Sequence, residues 1–475
     1  MGKPSVHPTG TTIYNPEKCF NGYTLFQACE HGATLIDMNG AAVNHWRSLQ
    51  GFPNQLLRGG QVFGSLGERD TKYGWQDQLD LVQVDWDGNI VWSFDKTQRV
   101  ADPGNEPRDM ARQHHDYQRE GNPVGYYVPG MESRTDGGNT LILCHHDVFD
   151  PAISSHKLID DMIIEVDWSG NILWQWKCHE HFSEFGFSEE ARNALYRNPY
   201  LVPAGLGDWM HINCISRLGP NKWHEAGDQR FHPDNIIWDG RQTNILAITD
   251  KKTGKIVWQL GPDYTRGPAK EIGQIIGQHH THMIPKGLPG EGNILVYDNG
   301  GWAGYGAPNP GSLTGVNNAL RDYSRVIEID PVTMQIVWSC MPAHLGNPQP
   351  YQSDHFYSCF ISSAQRLPNG NTLITEGSDG RLFEVTSEHE VVWEYISPYW
   401  GKHMPINMVY RAYRYPYDYV PQLPRPKETA IARLDNNEYR LPGAAGKEFQ
   451  RVVEVKGAAG YGEVDGFCVT TVEVE

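Results

Sequence analysis

One short pattern recurs along this chain and limits what it can fold into. An alternating apolar stretch is followed by a polar turn and then a second stretch that closes on a tryptophan. The copies run from Val82-Gln83-Val84-Asp85 to Ile90-Val91-Trp92, from Ile163-Ile164-Glu165-Val166-Asp167 to Ile172-Leu173-Trp174, and from Ile245-Leu246-Ala247-Ile248 to Ile256-Val257-Trp258. Two more run from Val326-Ile327-Glu328-Ile329-Asp330 to Ile336-Val337-Trp338 and from Arg381-Leu382-Phe383-Glu384-Val385 to Val391-Val392-Trp393, and a weaker one ends at Trp46 after Ala33-Thr34-Leu35-Ile36-Asp37. Alternation at period two is the signature of strands with distinct faces.

Each closing half has an opening half. The clearest is Leu367-Pro368-Asn369-Gly370-Asn371-Thr372-Leu373-Ile374, where Asn-Gly supplies the positive φ of a tight hairpin. Gly138-Asn139-Thr140-Leu141-Ile142-Leu143, Asn235-Ile236-Ile237-Trp238 and Asn21-Gly22-Tyr23-Thr24-Leu25-Phe26 repeat it. A β unit present six times, with no long helical segment between copies, predicts an all-β fold: a six-bladed β-propeller. A single blade cannot cover both faces of its sheet, so blades stack in a ring, and the tryptophans are expected to fill the contacts between them. The propeller is assigned to 1–420, with 421–475 as a C-terminal extension. There Arg451-Val452-Val453-Glu454-Val455 reads as a strand that closes the ring against the N-terminal blade. Long insertions, Gly121 to Asp136, Pro220 to Pro233 and Gly300 to Asn318, are expected over the central channel. A short helix is predicted over Ser188 to Tyr196.

Composition excludes several classes. With 39% apolar and 20% charged residues, this is an ordinary globular chain. A formal charge of −17 with no basic block argues against a phosphate-backbone binder. No apolar run is long enough to span a bilayer, and the first residues show no basic-then-apolar leader, so a cytoplasmic location is the expectation. The eight cysteines are scattered without a Cys-x-x-Cys pair, which fits reduced thiols rather than a disulfide framework or zinc knuckle.

Chemistry concentrates at the strand starts. In a propeller the innermost strands line the channel, and three consecutive blades open with His114-His115-Asp116, His211-Ile212-Asn213 and Gln278-His279-His280-Thr281-His282. Alternation pairs Asp116 with His114, Asn213 with His211 and Thr281 with His279 on one face. The second strands end in another polar set: His145-His146-Asp147, Arg241-Gln242, Asp298-Asn299 and Glu376. The planar fork of Arg241 suits sulfate, phosphate or carboxylate oxygens. Such a pocket admits two chemistries. One imidazole attacks while the others stabilise charge, or several neutral imidazoles hold a transition metal. No nucleotide loop, His-Glu-x-x-His or Gly-x-Ser-x-Gly is present.

Several segments resemble the arylsulfotransferase family: Asp208-Trp209-Met210-His211-Ile212-Asn213, Gly254-Lys255-Ile256-Val257-Trp258-Gln259-Leu260-Gly261-Pro262, and Gln278-His279-His280 with Val296-Tyr297-Asp298-Asn299-Gly300. Ala364-Gln365-Arg366-Leu367-Pro368-Asn369-Gly370-Asn371 and the Arg411 to Pro416 tail are similar as well, so the resemblance spans roughly residues 20 to 420. It implies a six-bladed propeller that moves a sulfuryl group between phenols through a sulfo-histidine, without a cofactor. It implies His279 as nucleophile, with His280 as the other position the match allows. His211 and Asn213 would contact sulfuryl oxygens, Arg241 would grip the anion, and His115 (or His114) would be the histidine of the preceding blade. Asp116, Thr281, His145 and His146 are added as substrate contacts.

The stretch departs from the family in carrying His282 as a third histidine, and His145-His146 adds further imidazoles. The alternative expectation is therefore a metalloenzyme, oxidoreductase or lyase, with a transition metal on His115, His211 and His280. A third reading is a scaffold that binds through its loops. Either enzyme reading expects a small aromatic substrate, no nucleic acid and no membrane, and leaves a homodimer open.

Overall fold

The computed structural model describes residues 8–200, 206–435, 437–453, 456 and 457. Among these residues are five four-stranded antiparallel sheets and one of five strands, taken here as blades 1 to 6 from their innermost strands outward. Blade 1 is Val409–Tyr415, Tyr23–Ala28, Ala33–Ile36 and Ala42–Trp46; blade 2 is Gln50–Leu57, Gln61–Ser65, Leu81–Val84 and Ile90–Phe94. Blade 3 is Gln113–Arg119, Thr140–Val148, Leu158–Val166 and Ile172–Lys177; blade 4 is Ile212–Arg217, Ile236–Gly240, Ile245–Thr249 and Ile256–Leu260. Blade 5 is His279–Met283, Ile294–Asp298, Arg325–Asp330 and Gln335–Cys340; blade 6 is Ser363–Arg366, Thr372–Glu376, Arg381–Val385 and Val391–Ile396, edged by Gly10–Tyr14. The six innermost strands stand beside one another around the axis.

The repeating tryptophans join the blades, as their spacing predicts. Each indole N–H donates to a backbone carbonyl of the next blade's outer turn: Trp46 to Asp85, Trp92 to Trp168, Trp174 to Lys251, Trp258 to Pro331, Trp338 to Ser387 and Trp393 to Met38, all between 2.8 and 3.1 Å. The last of these carries the series from blade 6 back to blade 1. A wide apolar ring with one donor suits that place, because the ring fills the wedge and the N–H finds an acceptor on the neighbouring blade.

The ring closes differently from the sequence expectation. Val409–Tyr415 supplies the innermost strand of blade 1, paired from Tyr23↔Tyr415 to Ala28↔Val409. Gly10–Tyr14 adds a fifth strand outside Val391–Ile396. Of the stretch expected to close it, Arg451–Val453 is in no strand, and Glu454 and Val455 lie outside the described residues. The chain beyond 420 does meet the ring at Ile431, which exchanges backbone hydrogen bonds with Tyr14.

The insertions divide their work. Gly121–Asp136 leaves the far end of a blade 3 strand and turns back into the channel. Its Val124, Tyr126 and Val128 are buried with Leu25, Leu56 and Tyr413 in one apolar cluster. Tyr415 donates its hydroxyl to the Gly125 carbonyl at 2.5 Å, and a Cβ on Gly125 would stand 2.5 Å from the Gln55 amide and displace it from the Tyr117 carbonyl. Pro220–Pro233 packs outside blade 5, with Trp223 donating to the Gly292 carbonyl at 2.7 Å. Gly300–Asn318 forms a small hairpin, Ala303–Tyr305 with Val316–Ala319, over the strand starts of blade 4. There the Tyr305 hydroxyl donates to the Trp209 carbonyl at 3.1 Å.

The predicted helix is Glu189–Arg197, capped by Ser188 accepting from the Ala191 N–H. Gly370 has φ +94°, as the Asn-Gly hairpin requires. The seven cysteines among the described residues are free thiols. No helix among the described residues is long and apolar enough to cross a membrane.

Candidate active site

The strand starts converge on one mouth of the channel, and their backbone is irregular there. His115, His211, His280, Ile361 and Ser362 all have positive φ, from 52° to 94°. The pairing register slips within these same segments, between Gln113 and Tyr117, Ile212 and Cys214, and His279 and His282. A bulge re-aims side chains, and left-handed conformations at non-glycine residues collect at functional sites. Strict alternation therefore fails where the sequence analysis relied on it. His114 and His115 meet edge to edge, Nδ1 to Nδ1 at 2.9 Å, and Asp116 does not share a partner with His114. Its carboxylate instead accepts from the Arg411 guanidinium at 3.1 Å and from the Ile215 N–H at 3.1 Å.

His279 has a defined tautomer. Its Nδ1 lies 2.8 Å from the Asn299 carbonyl oxygen and 3.1 Å from that of Gly277. The Asn299 amide N–H donates to the carbonyls of Ser358 and Ile361 at 2.7 and 2.8 Å, which fixes its oxygen toward the histidine. Two acceptors at Nδ1 place the proton there, so Nε2 carries the lone pair, and it accepts the Ile361 N–H at 3.1 Å. His211 is held by Asp208, Nδ1 to carboxylate 2.5 Å, which aims the opposite edge of its ring inward. Its ring lies 4.6 Å from that of His115. Burial, and then the charges around them, hold His115, His279 and His280 well below the usual imidazole range, so these rings are neutral.

Arg241 is buried and its backbone N–H donates to the His211 carbonyl at 3.1 Å. Its guanidinium lies over Trp302, 5.4 Å from the ring, and donates to the Gln242 side-chain Oε1 at 3.2 Å. No carboxylate pairs with it among the described residues, and burial pushes it down to about 10. A cation left without a counter-ion beside neutral imidazoles is a place for an anion.

A cleft of about 820 Å³ opens at this mouth, lined by Phe52, Phe360, Met404, Met408 and Tyr410 and also by Glu30, Arg47, Glu68 and Lys402; of the groups above it touches His115 and Ile361. Thioether and aromatic surface with charged groups beside it suits an aromatic ligand that carries polar substituents.

The remaining expected residues take other places. Asn213 donates its amide to the Gln278 carbonyl at 2.9 Å, and its own amide oxygen is buried without a partner. Thr281 is buried behind the strand, its N–H on Asp239. His280 faces the Tyr413 hydroxyl at 3.1 Å and the His282 ring at 4.4 Å, deeper in the channel, so it does not converge with His115 and His211. The trio proposed above as metal ligands is thus not assembled. His114 and His145 stack behind His115, and His146 turns to the opposite face, onto Asp160 at 2.8 Å.

Four contributors escaped the sequence reading. Tyr410, Arg411, Asp208 and the Ile361 N–H belong to the site through ring closure, a three-residue reach and a backbone group. The Tyr410 hydroxyl donates to the Asn213 carbonyl at 3.2 Å and its ring packs on Phe52 at 4.6 Å. The available signal was the alternation of Val409 to Tyr415, which resembles the other inner strands.

Among solved structures, a protein of unknown function from Bacteroides caccae is 12% identical, with 83% of this chain and 98% of that one covered at a TM-score of 0.41. Virginiamycin B lyase from Staphylococcus aureus is 10% identical, with 83% and 87% covered at a TM-score of 0.34. Overlaps this loose say nothing about activity. No curated protein matches the sequence. The family model for arylsulfotransferase (ASST) matches residues 131–408, more than half of the chain and four of its six blades' inner strands or their partners, and on that match this protein belongs to the arylsulfotransferase family.

Proposed function

We propose that this protein transfers a sulfuryl group from an aryl sulfate to a second phenol, with His279 as the nucleophile. The observation that carries the reading is the locked tautomer of His279, a neutral imidazole with its lone pair on Nε2, next to the unpaired Arg241. In the first step Nε2 forms a bond to sulfur while the bond from sulfur to the phenolic oxygen breaks. The phenolate leaves with the bonding pair and takes a proton from water. In the second step the acceptor phenol gives its proton to His211, which Asp208 steadies from behind, its oxygen attacks sulfur, and the N–S bond returns its electrons to Nε2. Arg241 would hold the sulfuryl oxygens through the transfer. The cleft beside His115 would take the aromatic ring. The reaction as written needs no cofactor.

A metal-dependent reading of the axial histidines has less support, because His280 stands away from His115 and His211. Incubation with 4-nitrophenyl sulfate and excess phenol tests the proposal. The expected result is acceptor-dependent release of 4-nitrophenol and an acid-labile sulfuryl label on His279. No release with any aryl sulfate, or release that persists undiminished in His279→Asn, overturns it.

A further inference from the structure

Behind the cleft, three side chains meet whose facing atoms have nothing to bond. His145 is on the second strand of blade 3 and Asp161 is its directly paired neighbour on the third; His114 comes from the first. All three are fully buried. His114 Nε2 lies 3.2 Å from Asp161 Oδ1 without hydrogen-bond alignment, and His145 Nε2 lies 3.9 Å from the same oxygen. The three atoms stand within 4.8 Å of one another, and each is buried with no hydrogen-bond partner.

Their other atoms are spoken for. His145 Nδ1 is 2.7 Å from Asp77, a carboxylate that also takes Arg69 at 3.0 Å and Arg112 at 2.8 Å. The two guanidiniums on its carboxylate leave Asp77 an acceptor toward the ring. The Nδ1 proton of His145 therefore faces Asp77, and its Nε2 offers a lone pair to the centre of the group. Asp161 Oδ2 accepts the Ile212 N–H at 3.1 Å, which leaves Oδ1 to face inward. Buried polar atoms that face one another without a completed hydrogen bond are unfavourable. A cation removes the conflict. Metal–ligand bonds of about 2.0–2.2 Å put neighbouring donors roughly 3 to 3.5 Å apart, so His145 Nε2 must draw in by about half an ångström, and the two rings, stacked with centroids 3.5 Å apart, must turn for both lone pairs to meet the ion.

We propose that His114, His145 and Asp161 bind one divalent first-row transition ion, of the kind that accepts two imidazoles and a carboxylate, for which zinc and cobalt are the probes. Asp77 is the carboxylate that orients His145 from behind, as such ligands require. The site is separate from the cleft, and its assignment does not depend on the sulfuryl-transfer reading. It has a consequence for the cleft. With Nε2 given to the ion, the proton of His114 sits on Nδ1, 2.9 Å from His115 Nδ1. His115 then accepts there and presents its Nε2–H to the cleft. His114 is in this sense a positioning residue, since the ion selects the tautomer of a neighbour that faces the ligand.

The test is to strip the full-length protein with a chelator and titrate it with Zn2+ and, separately, Co2+. About one equivalent per chain is expected, with a Co2+ visible spectrum and X-ray absorption showing imidazole donors. His145→Gln and Asp161→Asn should weaken binding on the order of 10²-fold or more. His179→Gln should leave it unchanged, although His146, Asp160 and His179 also stand close together; there the carboxylate is already satisfied by both rings at 2.7–2.8 Å. Absence of stoichiometric binding overturns the proposal. So does cobalt absorption without imidazole scattering in the unmodified protein, which decides the matter even where a variant fails to fold. Loss of the ion in His179→Gln but not in His145→Gln overturns it as well.

Discussion

The Ile361 backbone N–H points at His279 Nε2 across 3.1 Å, while Asn299 takes the proton on the other side of the ring. The two contacts are coupled, because the Asn299 amide also holds the Ile361 carbonyl at 2.8 Å. One side chain thus sets the tautomer of the histidine and places the donor that covers its lone pair until a ligand arrives.

Asn299→Ala removes the acceptor at Nδ1 and both carbonyl anchors. It should lower kcat for aryl sulfate turnover on the order of 10²-fold with a smaller change in KM, by analogy with other partners that orient a catalytic or ligating histidine. Steady-state kinetics with 4-nitrophenyl sulfate reads the split, and unchanged kcat would remove Asn299 from the mechanism.

Arg241→Lys keeps a charge but loses the fork, and Arg241→Ala loses both. The alanine variant should lose roughly 3 kcal/mol of transition-state stabilisation, and lysine should restore only part of it. A second readout needs no turnover: inorganic sulfate should raise the melting temperature of the unmodified protein and fail to do so in Arg241→Ala.

Trp393 is fully buried at the junction of blades 6 and 1, whereas Trp338 is partly open to solvent. Trp393→Ala should cost about 3–5 kcal/mol of unfolding free energy and Trp338→Ala distinctly less. Equilibrium denaturation with urea compares them. Equal losses would show that the six contacts do not scale with burial.

His282, buried against the Tyr126 hydroxyl at 2.8 Å, is pushed down to about 4, chiefly by burial. The unfolded chain therefore takes up this proton from about pH 6.5 downward, while the folded protein resists it until about 4. Above that window both states are neutral and the group adds no pH dependence. Within it, stability falls as the pH falls, with a slope of about 1.4 kcal/mol per pH unit at most. His282→Gln removes this component. The stability difference between the two proteins should be flat above pH 6.5 and shift toward the variant between 6.5 and about 4. A difference that stays constant across the window would show that His282 is not the buried base.

The sequence by itself determined the architecture and the neighbourhood of the site. Period-two alternation, the Asn-Gly turn at Asn369-Gly370 and a tryptophan at the end of each unit are local properties, and local sterics and burial enforce them wherever the unit occurs. Six copies then have one economical arrangement, a ring, and the histidines that open three consecutive units must meet near its axis. The tertiary structure decided everything that depends on a break in that periodicity or on a contact across blades. Bulges and left-handed residues at the strand starts, which alternation cannot anticipate, sent His115 to the cleft and His114 to Asp161. Ring closure by Val409–Tyr415 brought Tyr410 and Arg411 to the axis from the far end of the chain. His279 owes its tautomer to Asn299 and its covering donor to a backbone N–H, a group every residue possesses and no side-chain pattern can reveal.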